Sequence, residues 1–515
     1  MELRRRSEHR IVSFPIFDIP AKRAELASHR VALEDLVSGE KVTYGLLDER
    51  TGRSATLLAE LGAEAGDRVG LLCRNRIEFF ELLFACARLG AILVPLNWRM
   101  PAKELAPLII DCGAKLLIHG VEDAGTAAEI SSEELTLLNL DDTSEVGFAA
   151  QRDSSEPRAR RLAWPSDEPW YLLYTSGTTG MPKAVIQTYG TAMANYINIA
   201  QAMSLQGDDT TLNYLPLFHT GGINLTTLPG LIMGARALFM PGFDLEQTIN
   251  LLEAGRLDTF FGVPAIYQAI SLHERFDELD LSRVRCWACG GAPMPDTMFK
   301  QFAARGATVL NGMGMTETGP TLFLMDPENA ANKIGSVGKP QFLSLARVVG
   351  PDGKDVPRGE TGELWFSGLG MTPGYFNRPE ETAKALVDGT WLRSGDLGRQ
   401  DEDGYYYIVG RLKDMYISGG ENVYAAEIEN CLNEHPAVLE AAVIGVPDEK
   451  WGEVGCADLL PRPGKQMPDD EELIAWCRQH LAPYKVPRQF STVADFPRTA
   501  AGKVQKHLLP GSPGS

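Results

Sequence analysis

A chain of 515 residues is too long for one hydrophobic core, so two to four domains or subdomains are expected. Its 49 Lys+Arg against 68 Asp+Glu leave a formal charge of −19, which argues against nucleic acid or an anionic membrane as the main partner. The apolar fraction is that of a globular protein, and no run of about 18 apolar residues is present to span a membrane.

The chain opens on a basic stretch, Arg4-Arg5-Arg6, followed by mixed charged residues rather than the apolar core of a signal peptide. From about Ala24, helix and strand alternate. Thr43-Tyr44-Gly45 precedes a helical run over Leu46–Leu61 that stops at Gly62. Arg68–Leu72 reads as a strand; Ile77, Phe80 and Phe84 recur at helical spacing up to Gly90; Ala91–Leu96 is the next strand. This alternation implies parallel sheets covered by helices. Residues 142–169 are polar, charged and contain Pro157, and read as an exposed connection.

A second α/β half runs to about residue 340. Short strands and turns follow, at Pro351-Asp352-Gly353, Gly362–Gly368 and Asp403–Tyr407, and predict a small β subdomain. Past Arg411-Leu412-Lys413, the spacing predicts a helix over Ala425–Glu434 and a strand over Val438–Val446. A further helix opens at Pro468, with Leu473, Trp476, Cys477, His480 and Leu481 on its apolar face. The expected architecture is thus α/β: a large N-terminal domain of two α/β sheet subdomains plus a small β subdomain (1–411), then a smaller, mobile α+β lid (412–515).

The eight cysteines form no secreted framework, and reduced thiols point to the cytoplasm. Cys286-Trp287-Ala288-Cys289 has redox or metal spacing. It lies in an apolar run, Val284–Cys289, without a second Cys or His pair nearby, so a buried strand is the expectation.

The most informative stretch is Tyr174–Lys183. Apolar residues Tyr171–Tyr174 run into a loop of Thr175, Ser176, Gly177, Thr178, Thr179 and Gly180, closed by Lys183. Glycines let backbone approach a ligand closely, hydroxyls and successive N–H groups can form an anion-binding concavity, and the lysine adds a point charge. These are parts for holding a polyphosphate. The loop is not a Walker motif, because no Gly-Lys-Ser/Thr follows the glycines.

This run resembles the phosphate loop of the adenylate-forming superfamily, in particular its acyl-CoA synthetase (carboxylate–CoA ligase) branch. The resemblance extends over about residues 25–507, with further motifs in the family's order. Gly290-Gly291-Ala292-Pro293-Met294 matches the adenine-binding turn, which assigns Gly291, Ala292 and Pro293 to the base. Asn311-Gly312-Met313-Gly314-Met315-Thr316-Glu317-Thr318 is a nucleotide segment: Glu317 would ligate Mg²⁺ and Thr316 would bond the α-phosphate, since a buried carboxylate needs a cation. Met313 stands where the family usually has an aromatic residue stacked on adenine, and a thioether replaces part of that packing. Asp396, after the Ser394-Gly395 turn, matches a ribose clamp, and Arg411 is assigned to the ribose or α-phosphate.

The resemblance further implies a pivot at Lys413, with Ser418, Gly419 and Gly420 lining the thiol tunnel. Lys503, in Phe496–Lys503, corresponds to the lid lysine that meets the substrate carboxylate and α-phosphate. Thr175, Thr316, Glu317 and Lys503 are thus the candidate catalytic residues. The implied activity is ATP- and Mg²⁺-dependent: an acyl-adenylate forms with loss of pyrophosphate, the lid turns, and the thiol of coenzyme A takes the acyl group. The chain's ending at 515 without a carrier domain favours free CoA.

His219, in Leu215–Gly222, reads by itself as a structural hydrogen-bonder; the family places an aromatic residue or His here at the acyl pocket. Phe218-His219 offers no anion for an amino group, which counts against an amino-acid substrate. Candidate pocket residues are Phe218, His219, Gly222, Asn224, Phe261, Gly262, Val263 and Met315. This apolar, aromatic set suits a hydroxycinnamate such as ferulate, with a medium-chain fatty acid as the alternative. A light-emitting oxidative enzyme and a nucleotide-binding module without catalysis are the other readings; the retained Lys503, Glu317 and Asp396 oppose the second. Monomer and homodimer both remain open.

Overall fold

The computed structural model describes residues 13–157, 161–175, 182–292, 294–498 and 504–510. Alternating helices and strands build a large N-terminal α/β domain, and a smaller domain follows. The first sheet has six strands in the order Lys183–Thr188, Pro169–Thr175, Ile92–Pro95, Arg68–Leu72, Leu116–His119 and Thr136–Asn139. All neighbours are parallel except the first pair, which forms an antiparallel hairpin. A four-stranded sheet, Thr210–Asn213, Arg236–Phe239, Val31–Asp35 and Lys41–Thr43, joins two strands that follow the first sheet in sequence to two that precede it.

The predicted β subdomain is continuous with the second α/β half. Parallel strands Thr259–Gly262, Cys286–Cys289 and Val309–Met315 continue through antiparallel Gly319–Leu324, Ser336–Pro340, Tyr406–Arg411, Trp391–Gln400, Gly362–Gly368 and Ser344–Val349 into one ten-stranded sheet, whose tenth strand, Leu386–Val387, pairs with Trp391–Gln400 off this path. The turn at Thr316–Thr318, with Gly319 at φ +78°, reverses the chain and makes this switch from parallel to antiparallel pairing. A separate five-stranded sheet, built on Val438–Asp448 and Gly452–Pro461, carries the last part of the chain.

Local chemistry sets the element ends. Thr43 caps the helix Tyr44–Glu60 by accepting from the Leu46 amide, so this helix starts two residues before the predicted Leu46. Thr188 ends the hairpin and caps the next helix, Tyr189–Ala202, through a reciprocal pair with Thr191. Cys286 and Cys289 are buried on one strand as expected. An odd spacing of three puts them on opposite faces, and they pack into different apolar clusters.

One expectation fails. The stretch 142–169 holds the helix Phe148–Ser154 and the strand Ala163–Pro165, which pairs with Pro15–Phe17. Phe148 and Trp164 are fully buried, and Trp164 packs with Trp170 and Tyr189 at centroid distances of 5.7 and 5.3 Å. Two aromatic anchors in a polar run draw it onto the core.

Candidate active site

The hairpin delivers the two ends of the hydroxyl-rich loop. Thr175 and Lys183 face each other in register, and the Thr175 hydroxyl donates to the Lys183 carbonyl at 3.3 Å. Ser176, Gly177, Thr178, Thr179 and Gly180 lie outside the described residues. Lys183 is held by an ion pair, Nζ to Glu381 Oε2 at 2.6 Å, and stands 5.2 Å from the centre of the Tyr375 ring.

Two crossings bring the Thr316–Thr318 turn against this hairpin. Gln187 Nε2 donates to the Thr316 carbonyl at 2.7 Å. Residues 372–376 run beside the hairpin's free edge: the Ile186 amide donates to Gly374 O (3.1 Å) and the Phe376 amide to Ala184 O (2.8 Å). From there the Thr372 amide donates to Glu317 O (2.7 Å), and the Tyr375 hydroxyl donates to Glu317 Oε1 (2.9 Å).

Glu317 is 8% exposed and has no ion pair among the described residues. Burial pushes its carboxyl above the usual carboxylate range, against the Tyr375 hydrogen bond and the Lys183 charge; the Asp396 charge adds to the rise. A buried carboxylate kept open in this way fits an arriving cation. Among the described residues no cluster of three or more His, Cys, Asp or Glu could hold a metal alone. An ion here would take the rest of its shell from phosphate oxygens and water, which is how Mg²⁺ is usually held.

The C-terminal ends of three parallel strands meet nearby, where open α/β sheets place ligands. A side chain on Gly290 would sit 3.0 Å from Gly312 O and 3.3 Å from the Phe261 ring, and one on Gly291 (φ +84°) 3.5 Å from Val263. Gly291, Ala292, Gly312, Phe261, Gly262 and Val263 therefore share one neighbourhood; Pro293 lies outside the described residues. Gly314 has a reason of its own, because a Cβ there would lie 2.3 Å from the Pro320 carbonyl oxygen. Asn311 commits its amide to Ser336 O at 3.0 Å, and Met313 and Met315 pack half-buried on the cluster around Phe323 and Phe366.

Asp396, 8% exposed, is set by Gly395 (φ +71°) and by Ser394, whose Oγ accepts from the Asp396 amide at 2.9 Å. Arg411 stands opposite it, Nε to Oδ1 at 3.3 Å.

The proposed acyl-pocket residues divide into two kinds. Phe218 and His219 continue an aromatic run: Trp98 meets Phe218 edge-on at 6.3 Å, and Phe218 meets His219 at 4.8 Å. Arg74 and Arg99 lie 3.4 and 4.2 Å from the Trp98 ring centre. Burial, and then the Arg99 charge, push the His219 imidazole down from 6.5 to about 4, and its Nε2 is buried without a hydrogen-bond partner among the described residues. Tyr214, a few residues earlier, ties this segment to Phe261 by donating to its carbonyl at 2.7 Å. Gly222 and Asn224, by contrast, serve packing. A Cβ on Gly222 would lie 2.3 Å from Pro216 O, and the Asn224 amide is taken by Tyr171 (2.8 Å) and Thr220 (3.1 Å).

Lys413 sits in the single turn Leu412–Asp414 that joins the ten-stranded sheet to the five-stranded one. Burial lowers its ammonium pKa, and Arg411 and Lys506 add to this against Asp414 and Asp396. Gly419 (φ +62°) and Gly420 (φ +89°) form the two-residue turn after Ser418, with Gly419 against the Trp451 ring. Lys503 lies outside the described residues.

Sequence reasoning missed Tyr375, Glu381, Gln187, Trp98, Arg74 and Arg99. No motif marks them, because each enters through a partner distant in the chain.

The AMP-binding enzyme family model matches residues 21–376, and the AMP-binding enzyme C-terminal domain matches 427–503. The chain belongs to the AMP-binding enzyme family, on its ATP-dependent acyl-CoA ligase branch. It is 40% identical over 487 residues to a feruloyl-CoA synthase of an Amycolatopsis species, covering 95% of this chain and 96% of that one. It is 35% identical over 499 residues to the long-chain-fatty-acid–CoA ligase FadD13 of Mycobacterium tuberculosis, covering 95% and 96%. The structure is similar to that of ATP-bound MatB from Rhodopseudomonas palustris, with a TM-score of 0.88 at 29% identity, covering 96% of this chain and 98% of that one.

Proposed function

We propose that this ligase activates an aromatic acid of the hydroxycinnamate type, such as ferulate, and transfers the acyl group to free coenzyme A. The observation that carries the choice of acid is the aromatic run Trp98–Phe218–His219, which offers flat apolar faces. The 40% identity to a feruloyl-CoA synthase supports it; the likeness to FadD13 supports the fatty-acid alternative.

In this reading the substrate carboxylate attacks the α-phosphorus of ATP and pyrophosphate leaves. Carboxylate is a weak nucleophile, so the protein's task is positioning and charge stabilisation. The 175–180 loop and Lys183 cradle the phosphates, Thr316 bonds the α-phosphate, Asp396 and Arg411 hold the ribose side, and Gly291–Pro293 face the base. Glu317 would hold Mg²⁺, which when bound neutralises phosphate charge. Lys503 approaches the carboxylate for this step. The lid, taken as 412–515, then turns about Lys413 and presents Ser418–Gly420 to the thiol, which attacks the acyl carbonyl and expels AMP. The cytoplasm is the compartment proposed, where ATP and CoA are both supplied.

An AMP-release assay with ATP, Mg²⁺ and CoA over a panel of acids tests the reading. Ferulate and coumarate should exceed medium-chain fatty acids in kcat/KM. The reverse order selects the fatty-acid ligase, and ATP binding without turnover of any acid selects a non-catalytic module.

A further inference from the structure

Lys183 is the one cation that the loop motif contributes, and the structure shows what holds it. Its Nζ is 2.6 Å from Glu381 Oε2, and both side chains are about one-third exposed, at 32% and 33%. Glu381 comes from the first turn of Pro379–Ala385, where a carboxylate is favoured, and Lys384 lies 3.3 Å from its other oxygen. Tyr375 stands between this pair and Glu317. Its ring faces the lysine at 5.2 Å while its hydroxyl occupies Glu317 Oε1 at 2.9 Å. The backbone fixes that position, since Tyr375 bridges to Val185 on the same hairpin strand as Lys183. The cation is therefore paired with the outer carboxylate, and the buried one is left to a ring hydroxyl.

We propose that Glu381 is a positioning residue that parks Lys183 beside Tyr375, away from Glu317, so that incoming polyphosphate must take the cation from Glu381. This rests on the reading of Lys183 as a phosphate-binding residue. Lys183 left unpaired would be drawn to the nearest anion, and Glu317 is the carboxylate whose charge it already senses. Pairing the two would fill the metal position with an ammonium group. The partly exposed pair Lys183–Glu381 is weak enough to be exchanged. A triphosphate offers several oxygens in its place.

The test is ATP affinity by calorimetry in EDTA, so that neither metal nor acid enters. Glu381→Gln keeps an acceptor for Nζ but removes the competing charge, and should tighten ATP about three-fold. In a Lys183→Met background the same change should have no effect, because Glu381 acts through the lysine. Glu381→Asp, which withdraws the carboxylate by one methylene, should also tighten binding and serves if the amide variant does not fold. Unchanged or weaker binding in both variants, or equal tightening in the Lys183→Met background, overturns the proposal. A wild-type protein that binds no ATP overturns the nucleotide reading itself, and the proposal with it.

Discussion

Asp396 and Arg411 lie directly opposite each other on adjacent antiparallel strands, with Arg411 Nε 3.3 Å from Asp396 Oδ1. Fifteen residues apart in sequence, they form one charged unit, and Asp396 is nearly buried within it. A carboxylate fixed in this way can accept from vicinal hydroxyls without reorganising.

Asp396→Asn should therefore weaken ATP. The amide keeps the shape but loses the charge-assisted acceptor, and KM for ATP should rise by roughly 10-fold or more. KM for the acid should be unchanged. Steady-state kinetics with each substrate varied in turn check this, and equal rises in both KM values would remove Asp396 from the nucleotide.

Lys413→Pro should separate the two half-reactions. Leu412–Asp414 is a single turn between two sheets, and a proline fixes φ near −65° and removes an N–H at its centre. Pyrophosphate release in a single turnover should stay near wild type while acyl-CoA formation slows by on the order of 10-fold or more. Parallel loss of both rates with a lowered Tm would mark 413 as a rigid structural position instead.

Gly314→Ala should destabilise the fold before it affects nucleotide. The added methyl would lie 2.3 Å from the Pro320 carbonyl oxygen and 2.7 Å from that of Gly319, both backbone atoms that cannot swing aside. A loss of about 1–3 kcal/mol is expected, the usual cost of overpacking. Urea denaturation measures it; an unchanged midpoint would show that this strand pair opens freely.

His219 predicts a pH window. Its imidazole is held near pKa 4 when folded, against 6.5 when free, so the unfolded chain binds the extra proton between those values. Its contribution to stability is complete above about pH 6.5 and is lost as pH falls toward 4. His219→Phe should flatten the fall in Tm between pH 6.5 and 4.5 and leave the profile above pH 7 unaltered. A parallel fall in both proteins would show that other groups govern acid unfolding.

The sequence by itself determined what depends on neighbours in the chain. Turn chemistry and periodicity marked the helix after Thr43, the buried strand Cys286–Cys289 and the strand running into the hydroxyl loop, because caps, apolar spacing and glycines act within a few residues. The ordered motifs were enough to expect the family and its two-domain architecture.

Only the tertiary structure decided which distant groups meet. Glu381 lies 198 residues beyond Lys183, and Tyr375 lies 58 beyond Glu317; both contacts exist because residues 372–376 pair with the free edge of the hairpin. The same holds for Gly314 and Gly222, which look like loop glycines in sequence but are required where backbone passes backbone. Trp164 was misplaced for a related reason. Isolated aromatic residues in a polar run carry no period, and the burial of Phe148 and of the Trp164 ring against Trp170 and Tyr189 fixes where that run goes.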